Sequence, residues 1–556
     1  MALSFSPAAR DQLKDAVTCF SVANLCFLRR WYDLEHLKER SMDYYRSGPA
    51  NQNLLWATLI AATLLATGLW LAWRWVERHP TPLRWKVAQS GFLLLLIRSL
   101  ESVRRYWNDE LGRTDLGSTL ALLTVEICLA VGLVMVWYGR ARILRAAHRV
   151  ALMLALLLPA LMIDFTLSRV NAESAAAFSP KPSLPFLPRS PHNRRVIWML
   201  FDEFDQRLAF DARQASVSLP ELDRLRGESL VADHATETAR WTILALPSLL
   251  SGRVFARAEL KSADTLQVYP EGAGRGFSWR DQPNVFQEAR ALGANPEVVG
   301  WHHPYCRVLG DSLVRCLDVP GGHPTAALLP EQIATERGVL KMVGFLFRMQ
   351  VANVAELLGV HADYGAEKLG GEFVQRRMQQ QYFLIRDRAY AAAVDPRIDF
   401  LFAHFPTPHP FPIYNRHKQN FELSDSLDYL DNLALVDRTV GEMRRVLEQA
   451  GLWDSTSIVI TADHGLRPEL WHGQYTWTDE LEQITAGPQS ETVPFIARLA
   501  GQHDPRLYDR PFSNVLTGEL SLAVLRGQVT TSAQALSWLD GHGGSEHSSI
   551  PAQSVR

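Results

Sequence analysis

Apolar positions fall into two regimes along this chain. Residues 1–167 carry long, nearly unbroken apolar runs; from residue 168 onward the runs are short and alternate with polar stretches. Leu54–Val76 and Gly117–Tyr138 are long enough to cross a bilayer, and Val150–Leu167 reaches the lower limit. Ala16–Leu28 is shorter and Val87–Leu100 is interrupted by Arg98, so each reads either as a span or as an interfacial or buried helix. Trp56, Trp70, Trp73, Trp75, Trp85, Trp107 and Trp137 cluster near the span ends, as an aromatic belt does. Residues 1–167 are therefore expected to form a transmembrane domain of about five helices.

Two basic loops orient it. Arg140, Arg142, Arg145 and Arg149 lie between the last two spans, and Arg74, Arg78, Arg84 and Lys86 at or after the end of the Leu54 span. Both loops are expected on the cytoplasmic side, which places everything after Leu167 outside the cytoplasm and the N-terminus inside. The placement is a multi-pass cell-membrane protein with an extracytoplasmic domain, periplasmic in a Gram-negative cell. Arg29-Arg30, with no small-residue cleavage site, argues against a signal peptide.

Residues 168–194, rich in Ser, Ala and Pro, read as a semi-extended linker. Beyond it the period changes. Val196–Phe201, Pro296–Gly300, Arg397–His404, Ser457–Thr461 and Val493–Arg498 read as strands. Thr242–Leu250 reads as a helix, and Asp425–Ala450 repeats apolar residues at helical spacing until Gly451 stops it. This alternation implies an α/β domain with a mainly parallel sheet covered by helices, over 195–535. The Gly/Ser-rich tail 536–556 reads as disordered. Val339–Val360 is apolar but broken by charge, so it reads as a packed or interfacial amphipathic helix.

The formal charge of −2 gives no electrostatic case for nucleic acid. Cys19, Cys26 and Cys128 sit in apolar segments and read as packing residues. Cys306 and Cys316 lie in the exported domain, where an oxidising compartment permits a disulfide; two reduced buried thiols are the alternative.

Chemistry enters where two strands end in acid. Val196–Phe201 runs into Asp202-Glu203, and Ser457–Ala462 into Asp463-His464-Gly465. Open α/β sheets bind ligands at the carboxyl ends of their strands, and such residues suit a divalent metal. Trp301-His302-His303-Pro304-Tyr305 reads instead as a pocket wall.

In these motifs, with Thr242 to Gly252, His404 to Pro410, Tyr429 to Asp437 and Thr492 to Ile496, the domain resembles the alkaline phosphatase superfamily in its sulfatase-like branch. The resemblance covers about Arg195 to Ala523. In that branch the nucleophile stands ten residues before the Gly of a Leu-(Ser/Thr)-Gly ending, which here is Thr242, with Thr236, Thr238 and Ser248 as alternatives. Sulfatases carry a matured Cys with Arg four residues on; this chain has Thr242 and Leu246, which disfavours sulfate esters. The resemblance implies a metal held by Asp202, Thr242, Asp463 and His464, with Glu203 either binding or orienting it. Zn²⁺ or Mn²⁺ suits these donors better than Ca²⁺ or Mg²⁺. It further implies a phosphate contact from His409, and weaker substrate roles for His404, ranked lower on strand alternation, and for His472.

The expected activity is transfer of a phospholipid head group, phosphoethanolamine or phosphoglycerol, to a glycan or lipid acceptor through a phosphothreonine. The phosphoethanolamine transferases and lipoteichoic acid synthases are the similar proteins. Hydrolysis at the same site and a non-catalytic assembly role are the competing readings.

Overall fold

The computed structural model describes residues 7–36, 40–48, 52–92, 95, 175–181, 183–188, 194–321, 333, 338–357, 366–472, 476–486, 490–543 and 554–555. These fall into two compact units. One comprises Met1–Glu39, Ala50–Ala172 and Pro324–Leu369; the other Arg40–Pro49, Glu173–His323 and Gly370–Arg556.

In the first unit, helices cover Pro7–Cys26, Leu28–His36, Asn53–Arg78, 82–92 and Val339–Leu357. Among the described residues only Asn53–Arg78, 26 residues long, has the length and apolarity to cross a membrane. Ala16–Leu28 is not one helix, because the chain breaks at Phe27 between two. Val339–Leu357 is amphipathic: Met342, Val343, Phe345 and Leu346 are buried while Leu340 and Val351 are exposed. Gly117–Tyr138, Val150–Leu167 and most of Val87–Leu100 lie outside the described residues.

The second unit is built on an eight-stranded sheet. Its strands are β1 (Arg195–Asp202), β2 (Leu230–Ala232), β3 (Pro296–His302), β4 (Arg315–Pro320), β5 (Phe400–Pro408), β6 (Thr456–Ala462), β7 (Phe495–Arg498) and β8 (Arg506–Tyr508). Their order is β8-β2-β7-β6-β1-β5-β3-β4. The β6-β1-β5-β3-β4 run is parallel throughout, and β7 is antiparallel to both its neighbours.

β1, β5 and β6 are buried along their whole length, which is why they read as continuous apolar runs and not as alternating ones. Trp198, fully buried, packs edge-on against Phe402 at 5.1 Å between ring centroids. Tyr429–Gln449 lies against β5, and Leu516–Leu525 against β1 and β6. The former starts on a capping box between Asp428 and Asp431 and stops at Gly451, whose φ of 67° a side chain would strain.

Two parts of the 168–194 and 536–556 stretches are well placed. Lys181 N–H donates to the Cys306 carbonyl (3.0 Å) and Leu184 N–H to that of Leu313 (2.7 Å), so the Pro-rich stretch lies along this unit. Residues Ser532–His542 form a helix, which shortens the expected tail.

Candidate active site

The site forms where β1, β5 and β6 end side by side. Phe201 pairs with Ala462, so the residues that follow, Asp202 and Asp463, emerge together. Leu200 pairs with His404; Leu200 and Asp202 share a face, so His404 joins them. The result is a cluster of Asp202, His404 and Asp463 whose ligand atoms lie within 4.8 Å of one another, with His464 and Glu203 forming a second such group around Asp202. His404 Nε2 is 3.9 Å and His464 Nε2 4.0 Å from the Asp202 carboxylate, and His464 Nε2 is 3.3 Å from Asp463 Oδ2.

Thr242 closes the cluster. It opens the helix Thr242–Ser251, is buried, and stands with Oγ1 3.1 Å from His464 Nε2. His464 Nδ1 lies 2.9 Å from the Gly465 carbonyl, which can only accept, so Nδ1 carries the hydrogen and Nε2 is bare. The Thr242 hydroxyl therefore donates to His464. Two of the three alternatives are occupied elsewhere: Thr236 donates to the Phe512 carbonyl and Ser248 to that of Leu244.

The donor set fits a divalent cation. Both oxygens of Asp202, Oδ2 of Asp463 and Nε2 of His404 are buried and make no hydrogen bond within the described residues. Burial, the Asp463 charge and Glu203 hold the Asp202 carboxyl well above the usual range, and burial pushes Asp463 up to about 7. Two adjacent buried carboxylates with bare oxygens either keep protons or call for a compensating positive charge, which a divalent cation would supply. Burial drives the imidazole pKa of His464 well below its usual value and those of His404 and His409 down to about 3, leaving neutral rings suited to a metal.

Glu203 stands one step back. Its φ of 60° turns the chain at the end of β1, and its carboxylate accepts from Arg467 Nη2 (2.5 Å) and Trp471 Nε1 (2.9 Å). Burial raises its pKa and Arg467 opposes that. This pairing offsets its charge, which suits an orienting role, while its carboxylate also lies in the group with Asp202 and His464. Supports follow the same pattern elsewhere. Tyr305 Oη meets His404 Nδ1 at 3.0 Å, and Glu237 accepts from Gly465 N–H at 2.8 Å.

His409 is buried against Trp301 and Trp471, with ring centroids at 5.3 and 4.9 Å, and its Nδ1 is held by the Pro410 carbonyl at 2.8 Å. His404, ranked lower on alternation, shares the face of Asp202 through its pairing with Leu200 and lies in the cluster. The β1–β5 register shifts after Phe201, from Phe405 to Pro408, on the way to His409. His472 is not brought into the cluster; its side chain is 63% exposed and pairs with Glu482 at 2.9 Å. Cys306 and Cys316 are joined by a disulfide. Arg467, Trp471, Tyr305 and Glu237 were not singled out for the site by sequence; Arg467, three residues past His464, was the one with a positional signal.

A family model described as type I phosphodiesterase / nucleotide pyrophosphatase matches residues 196–485, just over half of the 556. Among solved structures, the phosphonate monoester hydrolase of Silicibacter pomeroyi is 14% identical over 65% of this chain and 77% of its own, with a TM-score of 0.36. A sulfatase from Pseudoalteromonas sp. is 13% identical over 68% and 80%, with a TM-score of 0.40. An alkaline phosphatase superfamily protein of Vibrio parahaemolyticus is 10% identical over 61% and 68%, at 0.34. No curated protein matches the chain.

Proposed function

We propose a phosphoryl-group chemistry for this chain from one premise: it belongs to the type I phosphodiesterase / nucleotide pyrophosphatase family, within the alkaline phosphatase superfamily. Our reading is a membrane-anchored, metal-dependent phosphotransferase that takes a head group from a lipid donor and passes it to a glycan or lipid acceptor. One observation carries it: the Thr242 hydroxyl at a helix N-terminus, 3.1 Å from His464 and beside two buried acids with bare oxygens.

A divalent cation, when held by Asp202, Asp463, His464 and His404, supplies the charge that lowers the Thr242 hydroxyl pKa and offsets phosphoryl oxygens. Thr242 gives up its proton, by way of solvent, to the departing alcohol, and Oγ1 attacks phosphorus. The bond from phosphorus to the donor alcohol breaks, and that alcohol leaves with the proton. Backbone N–H groups of the first helical turn favour the phosphoryl oxygens. In the second half an acceptor hydroxyl attacks the same phosphorus and the Thr242–phosphorus bond breaks. His409 takes the acceptor's proton, which restores the one Thr242 lost. Its Nδ1–H is tied to Pro410, so Nε2 is the accepting nitrogen.

The anchor is consistent with the helix Asn53–Arg78, and the Cys306–Cys316 disulfide supports an extracytoplasmic, periplasmic-type placement. A second reading, hydrolysis with water as acceptor, is favoured by the family's own description as phosphodiesterase and pyrophosphatase. Intact mass of the full-length protein in native lipids, beside Thr242→Ala, is the test. An adduct on the wild type alone is expected, and its mass names the transferred group. An adduct on both proteins overturns Thr242 as the nucleophile. Turnover of a simple phosphodiester without any adduct favours hydrolysis.

A further inference from the structure

We propose that Tyr44 is a positioning residue for Thr242, acting through His303 from a segment that lies in sequence between the helices Leu28–His36 and Asn53–Arg78. The inference rests on the reading of Thr242 as the nucleophile.

Residues Arg40–Pro49 belong to the catalytic unit although they precede β1 by some 150 positions of chain. Tyr44 is fully buried, and its hydroxyl lies 2.9 Å from His303 Nδ1. The other nitrogen of the same ring, Nε2, lies 3.2 Å from the carbonyl of Thr242. The directions are forced. A carbonyl only accepts, so His303 Nε2 carries the hydrogen; burial keeps the ring neutral, so Nδ1 is bare and the Tyr44 hydroxyl donates to it. The chain of donors runs Tyr44 to His303 to the backbone of Thr242. It fixes the backbone of the residue whose Oγ1 meets His464.

The segment is seated, not resting. Arg307 Nη2 donates to the carbonyls of Tyr44 (2.9 Å) and Arg46 (2.8 Å), and Asp43 pairs with Arg46. Arg307 is next to the disulfide-bonded Cys306. Gly321 lets the segment in: its φ is 101°, and a Cβ there would meet the Tyr45 carbonyl oxygen at 2.5 Å. Trp279 stacks edge-on against His303 at 4.9 Å and holds the ring plane. None of these residues touches the acids or donates to a phosphoryl group in the proposed reaction. Their common effect is the placement of one backbone carbonyl. The orientation read from basic loops also puts residues 40–48 on the same side of the membrane as the domain after Leu167.

The test uses the full-length protein in detergent with saturating Mn²⁺ or Zn²⁺, and bis(p-nitrophenyl) phosphate as probe. Tyr44→Phe should lower kcat roughly tenfold with KM within about twofold and metal content unchanged, as misplacement of a reacting atom does. His303→Ala should lose more, and His303→Gln, whose amide can accept from Tyr44 and donate to Thr242, should recover much of it. Thr242→Ala should be inactive. Wild-type kcat in Tyr44→Phe, even with a lowered melting temperature, overturns the proposal, since a merely structural residue would shift the melt alone. Should Tyr44→Phe fail to fold, equal kcat in the two His303 variants overturns it. Turnover by Thr242→Ala instead overturns the nucleophile assignment beneath it.

Discussion

Stripping the metal from this protein should cost more stability as the pH rises toward 7. The perturbation is chelation of the full chain in detergent. Without a cation, Asp202 and Asp463 face each other's charge in a buried site, and both carboxyl groups prefer to stay protonated, Asp463 up to about 7 and Asp202 raised as well. The sign follows from linkage. An acid whose folded pKa is raised contributes stability that is full below its unfolded value and lost as pH rises through the folded one. A proton held by the folded cluster but not by the unfolded chain costs about 1.4 kcal/mol for each pH unit climbed. Between pH 5 and 6.5, above the unfolded Asp range and below the value of about 7 at which Asp463 releases its proton, that is roughly 2 kcal/mol, or about 4 °C in apparent Tm for a unit this large. The buried histidines stay neutral there with or without the cation, so their charging in the unfolded chain cancels in the difference. Glu237, which burial raises to about 8, titrates in loaded and stripped protein alike, so it cancels in the difference. Tryptophan fluorescence melts of loaded and stripped samples at both pH values measure the gap. A gap that does not widen, or that narrows, would refute the charge assignment at the heart of the site.

Two further outcomes follow from the same geometry. Arg467→Ala leaves Glu203 as an unpaired buried charge and should cost about 3–5 kcal/mol in chemical denaturation, whereas adding Glu203→Gln to it should recover a large part. Replacing Cys306 and Cys316 by Ser opens a ten-residue separation and should cost about 3 kcal/mol on the chain-entropy account; an unchanged Tm under reducing and oxidising conditions would count against the bond.

How much of this was legible in the sequence differs residue by residue. Asp202, Asp463 and His464 were, because central parallel strands are continuous apolar runs and the residues that end them stand out. Thr242 was singled out because the resemblance counts back ten residues from Gly252, and the fold sets its hydroxyl beside His464. His404 was ranked lower because alternation alone does not say which face of β5 meets the acids; the pairing of His404 with Leu200, two residues from Asp202, supplies that. Glu203 could not be settled, because whether a carboxylate binds metal depends on what else donates to it, and Arg467 and Trp471 reach it only through the fold. Tyr44 was invisible for a plainer reason. It sits in a short connection between two helices, where no periodicity marks it and nothing local reports the wall it packs against.

That connection also changes how the catalytic unit can be made. Its chain is discontinuous, and the earliest piece is synthesised long before the strand that begins the sheet. Tyr44 must wait through more than a hundred residues of synthesis before His303 exists to receive it. A protein trimmed to begin near residue 194 would carry every acid and histidine of the cluster and still fold around an empty seat beside Arg307 and Gly321. Such a fragment would bring a ready-made metal centre to the bench with its nucleophile loosely held. Sluggish turnover from it would report on the missing piece of chain rather than on the chemistry of the family.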